Sequence, residues 1–239
     1  MVSLEELKNN IVNCKEKMDA ALKRAHRDDV VTLIGATKTQ PKELIQMIQY
    51  NKLLDVVGEN HVQEIVEKYE IGDKLTWHMI GQLQSNKVKY IIDKVALIHS
   101  LDRESLAQEI NKQAIKHNKI MDCLIEINMG SEITKGGINK DDLDSFMAML
   151  DNYPNIRIRG LMSVLPNTPD KESLKQMYVE LNNLYKNLQQ SAGKRHQIDI
   201  LSCGMTNDYE MAIEFGGSNM IRLGRVLFGE RNYGGKVNG

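Results

Sequence analysis

VVTLIGATKTQPKELIQMIQYNKLLDVVGEN, residues 30–60, carries the pattern that decides the fold. Its opening, VVTLIGATK, is a short apolar run rich in β-branched residues and reads as a buried strand. Pro41 then opens KELIQMIQYN, a helix with proline at its start, where the missing N–H costs nothing. LLDVVGEN (53–60) returns to strand character. One strand, one helix and a second strand within about thirty residues form a βαβ unit.

The alternation continues along the chain. VQEIVEKYE reads as a helix, LTWHMIG (75–81) as a strand and SNKVKYIID as a helix. VALIHSL (95–101), DCLIEINMG (122–130), IRIRGLMSV (156–164) and IDILSCG (198–204) are further strands, each followed by a helical pattern. NMIRLGRVLFG (219–229) is the last strand candidate. Upstream of all of them, Leu4, Leu7, Ile11, Cys14, Met18 and Leu22 form one apolar stripe on a charged rod, and Ser3 with Glu6 is a capping box. Eight strands alternating with helices predict a (β/α)8 TIM barrel with an extra N-terminal helix. An open doubly wound sheet is the runner-up, but no GxGxxG follows the first strand. No Pro/Gly/Ser-rich linker interrupts the pattern, so residues 1–239 read as a single domain.

Composition narrows the function. The 31 basic and 32 acidic side chains nearly cancel, which removes the electrostatic footprint of a nucleic-acid binder. No stretch approaches the roughly 18 apolar residues of a membrane span, and the charged N-terminus has no signal-peptide core. Cys14, Cys123 and Cys203 are few and far apart, which fits a reducing cytoplasm better than a disulfide framework. The histidines show no ligand spacing, so no metal is expected, and GxSxG, Walker A and Rossmann signatures are missing.

In such a barrel, chemistry belongs to the C-terminal ends of the strands. The first strand ends in Lys38, on the same period-two face as Thr32, Ile34 and Ala36. Such a lysine either snorkels to solvent or, partly desolvated, supplies a neutral amine that attacks an aldehyde. LSCGMT (201–206) and GGSNMIRLGRVLFGE (216–230) bring Gly, Ser and Thr to strand ends, where freed backbone N–H groups bind phosphate. Gly204, Gly224 and Gly229 could equally serve tight turns. Arg222, inside the apolar MIRLG, is either functional or paired with a core carboxylate such as Glu126. Weaker candidates are Glu59, Asn60 and His61 in GENHVQE, and His78 and Asn86 around the third strand. His78 reads as a satisfied core residue.

ATKTQP, GENHVQE, WHMIGQLQSNK, GLMSV, LSCGMTNDYEMAI and IRLGRVLFGER, in that order from about residue 5 to Tyr233, resemble the pyridoxal phosphate homeostasis family. The resemblance implies a barrel like the N-terminal domain of alanine racemase. It implies pyridoxal 5′-phosphate (PLP) held as an aldimine on Lys38, and a role in vitamin B6 homeostasis without established catalysis. Ser202 and the backbone of Gly224 and Arg225 match the phosphate cradle, Arg222 matches the arginine facing the pyridine nitrogen, and Asn60 and Ser163 match the cofactor face. The chain departs from the family pattern at His61, where Tyr is usual, at Cys203, where Met is usual, and at Arg225, where Ser or Thr is common. Without a hydroxyl at 225, the phosphate is left to backbone N–H groups and the guanidinium.

Related racemases need a second domain that donates an opposing tyrosine, and the chain ends at Gly239 with no residues for one. Only Lys38 is available as a base, whereas racemisation needs one on each face of the carbanion. A guanidinium cannot accept the pyridinium proton, so the ring stays neutral and is a poor electron sink. The expectation is a monomeric cofactor carrier that serves apo forms of PLP-dependent enzymes. The alternative is a small PLP-dependent racemase.

Overall fold

The computed structural model describes residues 2–130 and 136–229. Eight parallel strands close into a barrel: β1 (Thr32–Ala36), β2 (Val56–Glu59), β3 (Thr76–Met79), β4 (Leu97–Leu101), β5 (Met121–Asn128), β7 (Ile156–Met162), β8 (Ile200–Ser202) and β9 (Met220–Leu223). Neighbours follow chain order, β9 pairs with β1, and the β4–β5 pairing completes the ring. The expected (β/α)8 barrel is therefore the fold. A two-residue strand, β6 (Ile138–Asn139), adds to β5 outside the ring and had no signal in the sequence pattern.

Ile34, Leu97, Leu124, Met162 and Met220, with Val56 and Ile200, form one inward-facing apolar layer across the barrel. They sit at alternate positions of their strands, so the polar residues two places further on share that interior. The outward faces pack under helices α1 (Leu4–Arg24), α2 (Lys42–Tyr50), α3 (Val62–Lys68), α4 (Glu104–Lys116), α5 (Leu143–Leu150), α6 (Lys171–Ser191), α7 (Tyr209–Glu214) and α8 (Arg225–Phe228). Each fully buried Leu or Ile of this shell contributes roughly 1.5–3 kcal/mol. Trp77 points outward from β3, and its Nε1–H donates to Gly72 O at 2.8 Å. Met147 and Met149 pack against the outer core, as their helical position predicts.

α1 forms as its stripe predicts: Leu7, Ile11, Cys14, Met18 and Leu22 are buried, and Ser3 Oγ accepts the Glu6 N–H at 3.2 Å. It docks on α7 and α8, the last helices among the described residues. Arg24 reaches Glu214 at 2.6 Å and Glu210 at 3.2 Å, and Asn10 Nδ2 donates to Leu227 O at 3.0 Å.

Two connections differ from the sequence reading. SNKVKYIID is not an α-helix but a 3-10 turn over Ser85–Tyr90 followed by turns. Val88 and Ile91 sit three residues apart, and a three-residue turn buries that pair as well as an α-helix does. The run 219–229 is not one strand: β9 stops at Leu223, and RVLF winds into α8. An apolar run of this length does not distinguish strand from buried helix. Gly229, at φ 84°, ends the turn as a glycine can.

Gly160 marks where the barrel wall bends. Its φ is 142°, and a Cβ there would lie 1.8 Å from Ile200 O. The register between β5 and β7 shifts at the same level, between Cys123 and Leu124. The three cysteines are buried free thiols. Among the described residues no helix is long and apolar enough to cross a membrane.

Candidate functional site at the C-terminal mouth of the barrel

Strand register brings the rim residues together. Gly35 of β1 lies opposite Leu223 of β9, and Ala36 lies opposite Gly58 of β2. One to three residues beyond these pairings, at the mouth, stand Lys38, Asn60 and the Gly224–Arg225 step. Lys38 is half-buried in the turn that follows β1, and Asn60 is half-buried. Gly224 has φ −119°, so it is not there for a left-handed turn. A Cβ on it would meet the Ala36 carbonyl at 3.2 Å, and its bare backbone keeps open the space beside the Lys38 turn. Arg225 is exposed, and its Nη2 donates to Asn207 Oδ1 at 2.8 Å. That bond joins the start of α8 to the loop after β8. Gly204, at φ 99°, lets this loop turn sharply, with Tyr209 Cα 3.0 Å from where a Cβ would sit.

One layer deeper lies a buried polar array. Arg222 is 5% exposed. Its Nη1 donates to Ser202 O at 2.8 Å and Ser202 Oγ at 2.6 Å, and its Nη2 donates to Ser163 O at 3.0 Å. Ser163 spends its own hydroxyl on Ile127 O at 2.8 Å. Ser202 Oγ is also 3.1 Å from His99 Nδ1, and His99 Nε2 is 3.0 Å from His78 Nδ1. Burial pushes the His78 imidazole down to about 4 and holds that of His99 well below its ordinary value, so both rings are neutral. Arg222 donates to the serine oxygen, and the bonds from that hydroxyl to His99 and from His99 to His78 take the direction that the His99 tautomer sets. The four side chains form one continuous hydrogen-bonded chain, Arg222–Ser202–His99–His78.

Glu126 shares this interior. Its Oε2 is buried with no hydrogen-bond partner. Burial first, then Asp102, pushes its carboxyl up to about 7, while Arg222 opposes the shift. Arg222 therefore does not form the hydrogen-bonded pair with Glu126 that one sequence reading allowed. Backbone carbonyls and Ser202 hold it, and Glu126 acts on it through space.

The expected residues thus divide into two levels. Lys38, Asn60, Gly224 and Arg225 form the rim, while Ser163, Ser202 and Arg222 form the floor. His61 is exposed at the start of α3, and Cys203 is buried. Thr206, half-buried, lies in the loop tied to Arg225. The sequence reading counted Thr206 among the strand-end residues of LSCGMT and offered Glu126 only as a partner for Arg222, and it gave no role to His99. For His99 and Glu126 the signal was present: each lies two residues beyond an interior leucine, Leu97 and Leu124. Residues 230–233, the end of the last resemblance motif, lie outside the described residues. A groove of about 760 Å³ between α1 and the start of β1 and β2 lies at the opposite end of the barrel from Lys38 and is not this site.

Residues 2–232 match the family model of the alanine racemase N-terminal domain. The chain is 44% identical over 221 residues to the pyridoxal phosphate homeostasis protein of Aquifex aeolicus, covering 91% of this chain and 95% of that one. The chain belongs to this family. The homeostasis protein of Pasteurella multocida is 34% identical over 232 residues, covering 95% of this chain and 98% of that one. Among solved structures, PipY of Synechococcus elongatus with PLP bound superposes with a TM-score of 0.79 at 26% identity, over 93% of this chain and 100% of that one. Clostridium difficile alanine racemase shares the fold at a TM-score of 0.72 and 17% identity, and this chain covers 61% of its length. These homeostasis-family relatives carry a homeostasis name, not the name of an enzyme.

Proposed function

We propose that this protein binds pyridoxal 5′-phosphate and serves its intracellular supply, with Lys38 as the covalent anchor. The register that sets the Lys38 turn between Asn60 and the bare Gly224 carries this reading. The PLP-bound relative and the homeostasis name of the curated relatives support it. Bound at the mouth, the cofactor would supply an aldehyde carbon that accepts amines. Lys38 would hold the group through its amine at that carbon.

The remaining residues take roles that suit their positions. Backbone N–H groups at Gly224 and Arg225 hold the phosphate, with Ser202 beneath them. Arg222 faces the ring nitrogen, and Asn60 and Ser163 line the ring. Three hydrogen bonds lock the Arg222 guanidinium, which can only donate. Facing a ring nitrogen, it would hold no acceptor for that nitrogen's proton and would favour the unprotonated ring, which disfavours the carbanion chemistry of racemases and transaminases. The functional conclusion is a carrier, not an enzyme: a single monomeric barrel unit of the cytoplasm, where three unpaired buried thiols are at home.

Borohydride reduction followed by peptide mapping tests the anchor, and the pyridoxyl adduct is expected on Lys38. Unchanged affinity in Lys38→Ala, with a persistent adduct elsewhere, overturns the assignment.

A further inference from the structure

The turn that carries Lys38 has a conformation its sequence does not favour. Gln40 N–H donates to Thr37 O at 3.0 Å, closing a turn over residues 37–40 with Lys38 and Thr39 at its centre. Thr39 has φ 64°. Gly or Asn normally fills a positive-φ position in such a turn, and a β-branched residue there is an outlier. Something outside the turn must hold it.

Three side chains outside the barrel wall do so. Lys68, at the end of α3, is 4% exposed. Its Nζ donates to Thr37 O at 3.0 Å, Glu59 Oε1 at 2.8 Å and Glu64 Oε2 at 2.6 Å. All three ammonium protons are used. Thr37 Oγ1 donates to the same Glu59 oxygen at 2.8 Å. Thr39 N–H donates to the same Glu64 oxygen at 2.8 Å. The residues immediately before and after Lys38 are both gripped, and Glu64 grips the one with the unfavourable φ.

We propose that Lys68, Glu59 and Glu64 are positioning residues for Lys38, holding its turn in the shape that presents the amine to a carbonyl ligand. The proposal rests on Lys38 being the covalent anchor. Stability alone is a poor reason for such a cluster. Desolvation cancels much of the attraction in a buried ion cluster, and apolar side chains of similar volume would pack α3 on the barrel as well. The attack of an amine on an aldehyde, by contrast, depends steeply on how the nitrogen is held.

The test compares two ligands on the full chain. Pyridoxal 5′-phosphate reports covalent capture. Pyridoxine 5′-phosphate, which has an alcohol in place of the aldehyde, reports only the ring and phosphate contacts. In Lys68→Met the dissociation constant for the aldehyde is expected to rise about tenfold or more, with slower adduct formation, while that for the alcohol stays within about twofold. Glu64→Ala removes the acceptor of the Thr39 N–H at a site with 20% side-chain exposure, and is expected to shift the same ratio by about threefold. Thermal melting checks that each variant folds. If Lys68→Met does not fold, Glu64→Ala decides. Equal losses for both ligands, or no loss for either in a folded variant, overturn the proposal. A wild-type adduct on a residue other than Lys38 overturns the anchor itself. An adduct on Lys38 with an unchanged ligand ratio in the variants overturns the positioning role alone.

Discussion

Nη1 of Arg222 lies 2.6 Å from Oγ of Ser202, and this contact ties the arginine to the buried histidine pair His99 and His78. The arginine can only donate, so the serine oxygen accepts from it and shares a second hydrogen bond with His99. The floor of the mouth is thus one connected hydrogen-bond chain.

Breaking that chain at its centre has a defined cost. Ser202→Ala leaves His99 Nδ1 without its partner and Arg222 with one acceptor fewer, all in a buried setting. A loss of about 1–3 kcal/mol is expected, read as a lowered melting temperature or denaturant midpoint. A variant as stable as the parent contradicts a stabilising role for the chain.

Glu126 predicts a pH dependence of stability. Its folded pKa, raised to about 7, lies above the ordinary value of 4.5, so the folded state binds the proton more tightly than the unfolded chain does. Stability from this group is therefore full below about 4.5 and is lost as pH rises toward 7. Glu126→Gln cannot titrate. Its stability relative to the parent is expected to rise across that window by up to about 3 kcal/mol, measured by urea unfolding at several pH values. A constant difference between the two proteins rules out the raised pKa.

The neutral histidines act with the opposite sign. His78 has a folded pKa pushed down to about 4 from 6.5, so its contribution is full above 6.5 and is lost as pH falls toward 4. In unfolding titrations between those limits, His78→Gln is expected to flatten the acid limb.

The phosphate is expected to supply much of the cofactor affinity. Charge-assisted bonds to backbone N–H groups are worth about 1.5–3 kcal/mol each, so pyridoxal is expected to bind at least about a hundredfold more weakly than its phosphate. Equal dissociation constants in equilibrium titrations would show that the cradle is elsewhere.

Delivery is the last expectation. With Lys38 as the anchor, an incoming amine would displace it by exchange at the same carbon, so holo-protein is expected to activate a cofactor-free PLP-dependent enzyme even with a trap for free cofactor present. Turnover on D- or L-amino acids is expected to be negligible. Robust turnover that vanishes in Lys38→Ala favours the racemase alternative.

What was legible in the sequence follows from how local each signal is. The βα alternation and the α1 stripe are carried by residues within one element, and the barrel follows from counting them. Lys38 was legible because a cation ends an apolar strand. Arg222 was legible as an anomaly, but its partners were not, since two of its three bonds go to main-chain carbonyls, which any residue carries. The Glu59–Lys68–Glu64 cluster was hidden for a related reason. Lys68 and Glu64 look like an ordinary i,i+4 surface pair, and only the fold turns that face of α3 toward the end of β1. The 3-10 turn after β3 was misread because Val88 and Ile91 satisfy both helical periods.

The seating of α1 on α7 and α8 has a consequence for synthesis on the ribosome. Asn10 bonds to Leu227, 217 residues later, and Arg24 pairs with Glu210 and Glu214. A helix made early is thus completed by helices made much later. Until residues 209–228 have emerged, the apolar stripe from Leu7 to Leu22 has no docking surface, and the strand that must pair with β1 to close the ring is also missing. Folding of this chain is correspondingly dominated by contacts of high sequence separation, and a nascent chain stalled before Tyr209 presents that stripe to chaperones and to other chains.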